Sequence, residues 1–295
     1  MTSANGYGTL NGSSGDIRSL PDSTQLSSTD NEHEHHPLLR GKLRGVDQVV
    51  PLTEYLNQDI DKRWADILLL LSYVITGLLD SSAVFIWGSF VSMQTGNTVY
   101  TGLGLIEPTK GTRWIRSLLS IASFCLGSFC FARFHRYFSP KRRWVLMASF
   151  GLQLLLVAVA GIVVTIDQHQ QSQNELRWEV LVPLALVAFQ SSGQAVVSRA
   201  LQYNSLTSVV LTSIYCDLFS DPLLMAGLTQ NVERNRRAAA PVLLLAGAIF
   251  GGLWAHSSVG LAGALWTAAA LKVVNICAFF LWRAERKSVT RTETT

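Results

Sequence analysis

From residue 67 to residue 282 the chain is built of apolar runs, each about as long as a bilayer crossing, separated by short polar connections. A hydrocarbon core of about 30 Å needs roughly 20 apolar residues in helical form. Lipid offers the backbone no partner, so a single crossing segment must satisfy its own N–H and C=O groups as a helix. The runs cover 67–87, 115–134, 144–166, 180–198, 238–255 and 259–282. A further region, 206–228, is interrupted by Asp217, Ser220, Asp221 and Pro222. The stretch 90–106, FVSMQTGNTVYTGLGLI, is too polar for a lipid-facing helix and too apolar for a solvent loop. Trp64, Trp87, Trp114, Trp144, Trp178 and Trp282 fall at or near run ends, as interfacial aromatics do. The predicted fold is all-α: a polytopic membrane helix bundle of about six spans plus two broken or re-entrant segments.

Basic residues choose among topologies, because Lys and Arg favour the cytoplasmic side. Arg133, Arg136, Lys141, Arg142 and Arg143 form one cluster, and Arg234, Arg236 and Arg237 a second. Arg283, Arg286, Lys287 and Arg291 follow the last run, and Lys62 and Arg63 precede the first. Six crossings, with 90–106 and 206–228 each returning to the side they came from, place all four groups together with both termini cytoplasmic. The cost is that Lys110, Arg113 and Arg116 fall outside; an eight-span alternative would instead export the five charges at 133–143. Six spans also make the second half an inverted copy of the first, an arrangement typical of transporters. Residue similarity between the halves is too weak to establish a repeat.

Three divisions follow: a cytoplasmic tail over 1–60, a transmembrane domain over 61–284, and a short basic tail over 285–295. The first tail has no sustained apolar period and is expected to be disordered. No basic and apolar leader opens the chain. His33, His35 and His36 lie close together but without a scaffold to fix metal geometry. Glu34, Leu38 and Leu39 match an acidic dileucine sorting signal, whose reader would be a sorting adaptor on a vacuolar or endosomal route; otherwise the plasma membrane is expected. Cys125, Cys130, Cys216 and Cys277 all lie in apolar runs without metal spacing and read as small buried residues in helix contacts.

Gly77-Leu78-Leu79-Asp80, Phe90-Val91-Ser92, Thr95-Gly96-Asn97-Thr98-Val99 and Gly102-Leu103-Gly104 together resemble the first signature of the YoaK-like family. Its second signature is similar to residues 192–218 through Gln194, Arg199, Leu201, Thr207, Val210, Thr212 and Asp217. That family comprises multi-pass membrane proteins of bacteria and fungi without an established activity. The resemblance spans roughly 64–282 and implies a membrane-embedded fold, with little about chemistry. Gln194-Ala195-Val196 and Thr212-Ser213 stand where the family tends to have Gln-Asn-Ala and Thr-Gly, so the two broken segments need not act alike.

Ionisable residues inside a membrane are costly and mark pathways or paired sites. Asp80, Asp217, Asp221 and Lys272 are such residues, and a Lys272 pair with Asp80 or Asp217 would reduce the cost for both. Gln94, Thr95, Asn97 and Thr98 could line a polar path, faced by Gln190 and Gln194; equally, these groups could satisfy one another at a helix crossing. Gly247-x-x-x-Gly251 reads as helix packing. No HExxH, GxSxG or P-loop occurs, so neither an enzyme nor a cofactor is expected. The distribution of basic residues also gives no nucleic-acid groove. A small-solute or ion transporter in the lipid bilayer is the leading expectation, with a non-transporting membrane scaffold or accessory protein as the alternative.

Overall fold

A computed structural model of the chain describes residues 51–61, 65–166, 176–203, 206 and 208–282. Glu34, Leu38 and Leu39 lie outside the described residues, as do the histidines beside them and the basic tail. Among the described residues there are nine helices and no strand: α1 Leu52–Asn57, α2 Ala65–Trp87, α3 Gln94–Ile106, α4 Arg113–Phe138, α5 Arg143–Ile166, α6 Trp178–Ala200, α7 Thr212–Phe219, α8 Val232–Ala255 and α9 Gly260–Leu281. Six of them (α2, α4, α5, α6, α8 and α9) are long and apolar enough to cross a membrane. At about 1.5 Å per residue, α3 is about 20 Å long and α7 about 12 Å, both short of a crossing. Helix α8 starts six residues before its apolar run because the Asn231 side chain caps it, accepting from the Arg234 backbone N–H at 2.9 Å.

Facing residues fix the relative directions of the spans. A Cβ at Gly247 would strike the Val74 carbonyl, one at Gly251 the Leu78 carbonyl, and one at Gly77 the Leu244 carbonyl. Helices α2 and α8 therefore run parallel with their backbones touching, and Ser82 Oγ donates to the Gly251 carbonyl at 2.9 Å in the same seam. Helices α4 and α6 also run parallel, with Gly127 against Phe189 and Ser192 and Gly193 against Phe131. Helices α5 and α9 run antiparallel: Gly161 meets Leu265 and Trp266, Gln153 meets Lys272, and Phe150 meets Phe279. If α7 crossed the membrane, four crossings would lead from α5 to α9 and the two would be parallel. Helix α7 therefore returns to its own side. The parallel α2 and α8 then require the same of α3. Pairing of α2 with α8 and of α6 with α4 relates the two halves by an approximate two-fold, which the sequence could not establish.

One end of the bundle gathers the basic clusters. Arg236 Nε pairs with Asp66 at 2.7 Å, Arg143 N–H donates to the Gln58 carbonyl at 3.1 Å, and Trp282 Nε1 donates to the Asp61 carbonyl at 2.8 Å. Residues 51–61 belong to this end rather than to a featureless tail, since they form α1 and bury Ile60 completely. Arg113 and Arg116, two of the three exceptions in the charge count, lie at the opposite end and close α2. Arg116 Nη1 donates to the Trp87 carbonyl at 2.8 Å and Arg113 Nε to the Gly88 carbonyl at 2.5 Å. Terminal helix carbonyls attract cations. Their location is explained by this local role.

The cysteines depart from expectation: Cys125, Cys130, Cys216 and Cys277 are all exposed rather than held in helix contacts. A thiol is apolar enough to face lipid, so burial inside the protein gains it little. Trp87 departs the other way, being only 4% exposed.

Candidate functional site

After Trp87 the chain reverses at Gly88, whose φ of +73° favours glycine, and dips back into the bundle. Asp80 Oδ1 accepts from the Val91 and Ser92 backbone N–H groups at 2.8 and 2.9 Å, and Oδ2 accepts from Ser92 Oγ. Asp80 lies seven residues before the end of α2, so residues 91–92 re-enter by about 10 Å. Helix α3 starts from that depth and runs outward along α4. The broken segment is thus a shallow hairpin, pinned at its base by one fully buried carboxylate.

Asn97 completes the pin. Its Oδ1 accepts from Ser89 Oγ and the Phe90 N–H, both at 3.0 Å. Its Nδ2 donates to the Phe90 carbonyl and Gln94 Oε1, both at 2.8 Å, and to Ser120 Oγ at 3.1 Å. These groups satisfy one another, which is the helix-crossing alternative read from the sequence. Thr95 and Thr98 are exposed, and Thr98 Oγ1 returns to the Gln94 carbonyl at 2.9 Å. Asp80, Gln94 and Asn97 therefore come together, but around backbone rather than around a cavity.

Among the described residues, no buried carboxylate pins the second broken segment as Asp80 pins the first; Ser198 Oγ instead donates to the Tyr203 and Leu206 carbonyls at 2.7 and 2.9 Å. Asp217 is exposed on α7. Asp221 accepts from the Leu223 N–H at 2.9 Å and from Asn231 Nδ2 at 3.0 Å, and pairs with Arg237 at 3.5 Å. These bonds, the backbone one foremost, hold its carboxyl below the ordinary 3.8. Neither aspartate meets Lys272.

Lys272 stands elsewhere, with no exposed surface. It lies about 18 Å along α9, a helix of about 33 Å, and so near mid-depth. Its Nζ donates to Gln153 Oε1 at 2.8 Å and lies 5.8 Å from the centre of the Phe150 ring. No ion pair joins it to a carboxylate among the described residues, so the expected pair with Asp80 or Asp217 does not form. Asp80 is occupied by backbone N–H groups, and Asp217 faces outward.

Around that bond the interior is polar and incompletely satisfied. Gln153 Nε2 lies against Gly193 of α6, where a Cβ would come within 2.7 Å of it. Gln190 and Gln194, within one turn of Gly193, are 0% and 2% exposed. Asn275, one turn beyond Lys272, is 0% exposed. Gln153 Nε2, Gln190 Oε1, Gln194 Nε2 and both polar atoms of Asn275 have no hydrogen-bond partner among the described residues. Buried polar atoms are normally paired, so this concentration marks a place that water or a ligand would complete. Gln153 and Asn275 escape a sequence search for ionisable residues. The available signal was a lone amide within each apolar run, Phe150-Gly151-Leu152-Gln153-Leu154 and Val273-Val274-Asn275-Ile276.

The family model described as protein of unknown function (DUF1275) matches residues 68–278. It takes in all six long helices wholly or nearly so, and the chain belongs to that family. No curated protein and no solved structure matches the chain.

Proposed function

We propose that this six-span membrane protein moves a small solute across the bilayer, through the polar interior where α5, α6 and α9 meet. One observation carries the reading: Lys272 and its surrounding amides are buried near mid-depth, incompletely satisfied, and drawn from both halves of the chain. A purely structural core would gain by replacing such groups with apolar ones. Transporters with inverted halves place their sites at this level, between the halves. The reading moves the site away from Asp80, Asn97 and Asp217 and retains Gln190, Gln194 and Lys272. It involves no catalytic step. The face carrying Arg142, Arg143 and Arg236 is the cytoplasmic one in this proposal, and Glu34, Leu38 and Leu39 direct the protein to an internal membrane.

Purified protein in liposomes should give saturable uptake of at least one small solute from a panel of neutral, cationic and anionic compounds, above protein-free liposomes. Absence of uptake for the whole panel would overturn the proposal and leave the scaffold role. For routing, Leu38→Ala with Leu39→Ala should redistribute the protein, and unchanged localisation would refute that part.

A further inference from the structure

We infer that the transported solute is a small monovalent anion, which supplies the counter-charge that Lys272 lacks. The inference rests on the transport reading and narrows it to a substrate class. Among the described residues, this lysine with no exposed surface has no carboxylate partner, and its charge is met by a neutral amide oxygen and, at longer range, an aromatic ring. Burying an uncompensated cation is costly, and a bound anion removes that cost at the moment of binding.

The donor pattern points the same way. An ammonium has three hydrogens to donate, and Gln153 Oε1 takes one. Because Gln153 must present its oxygen to Lys272, its Nε2 is fixed as a donor, and it has no acceptor. Gln194, next to Gly193, and Asn275, one turn from Lys272, carry further donors without an acceptor among the described residues. Gln190 Oε1 and Asn275 Oδ1 are unused acceptors. They suit a second polar group on the solute, or an accompanying water. A single cation balances a single negative charge, and the complete burial of Lys272 favours a small solute. A metal cation would meet the ammonium instead of a carboxylate and is disfavoured there.

The test uses the full chain, purified in detergent for binding and reconstituted in liposomes for flux. Sodium chloride, nitrate, formate and acetate are the anionic probes, with glycerol and potassium gluconate as neutral and cationic controls. Wild-type protein should show a saturable rise in melting temperature and saturable flux with at least one of the anions. Both should fall at least tenfold in Lys272→Met, which removes the charge. Gln153→Glu, nearly isosteric, gives Lys272 an internal carboxylate and should abolish the anion response while the protein remains folded by size exclusion. Flux of glycerol or potassium without any anion flux overturns the anion inference and leaves transport standing. Anion binding without flux of any probe supports the site and overturns transport. No response to any anion, or one unchanged in both variants, overturns the inference.

Discussion

Asp80 offers a direct choice between a clamp and a coupling site. Its carboxylate accepts two backbone N–H bonds and one hydroxyl bond from the base of the re-entrant hairpin. Hydrogen bonds to a charged acceptor contribute about 1.5–3 kcal/mol each, so Asp80→Ala should loosen the hairpin by on the order of 5 kcal/mol. Asp80→Asn keeps an oxygen for Val91 and Ser92 and places an amide nitrogen beside Ser92 Oγ. It loses only the charge assistance, about 1–2 kcal/mol. Hydrogen exchange resolved over residues 88–97 reads this difference directly, since each 1.4 kcal/mol is about tenfold in opening. The Ala variant should exchange there at least a thousandfold faster, the Asn variant about tenfold faster, and α5 and α9 should be unchanged in both. Unchanged exchange at 88–97 in Asp80→Ala would refute the clamp. If flux were lost at the same time, Asp80 would return to the solute path.

The glycine seam should be similarly intolerant. Gly77→Leu or Gly247→Val places a side chain against facing backbone carbonyls and should lower stability by at least about 1–3 kcal/mol, read as thermal unfolding in detergent. Gly193→Ala should displace Gln153 and Phe131, weakening any response assigned to Lys272 more than it lowers the melting temperature. Arg143 donates to the Tyr55 and Trp282 carbonyls and stacks over the Tyr55 ring at 3.7 Å; Arg143→Gln should therefore expose residues 51–61 to protease at a cost of about 3 kcal/mol. Asp221 has a depressed folded pKa, so its contribution is present above the ordinary 3.8 and lost as pH falls through the lower folded value. Protease sensitivity at 220–231 should rise on acidification in the wild type, and Asp221→Asn should be sensitive at neutral pH already.

Much of the architecture was legible because the free energy of placing a residue in lipid depends mainly on that residue. Runs of about 20 apolar residues define the spans without knowledge of any neighbour. The basic clusters at 133–143 and 234–237 likewise belong to one end of the bundle, as charge counting places them. The candidate site was only half legible. Gln190, Gln194 and Lys272 were visible as polar residues in apolar runs, yet Gln153 and Asn275 were missed because an uncharged amide scarcely disturbs a hydropathy average.

Partnership is what the tertiary structure decided. Gln153 and Lys272 are 119 residues apart, and they meet only because α5 and α9 pack antiparallel at that register. Asp80, equally apolar in its surroundings, is instead taken by the chain eleven and twelve residues ahead, where Gly88 allows the reversal. Both residues are costly to bury, and the sequence shows as much for each. Which group offsets it depends on distances of about 3 Å, which only the packed helices set. For FVSMQTGN the packing gives a self-satisfied hairpin; for Lys272 it gives the amide oxygen of Gln153.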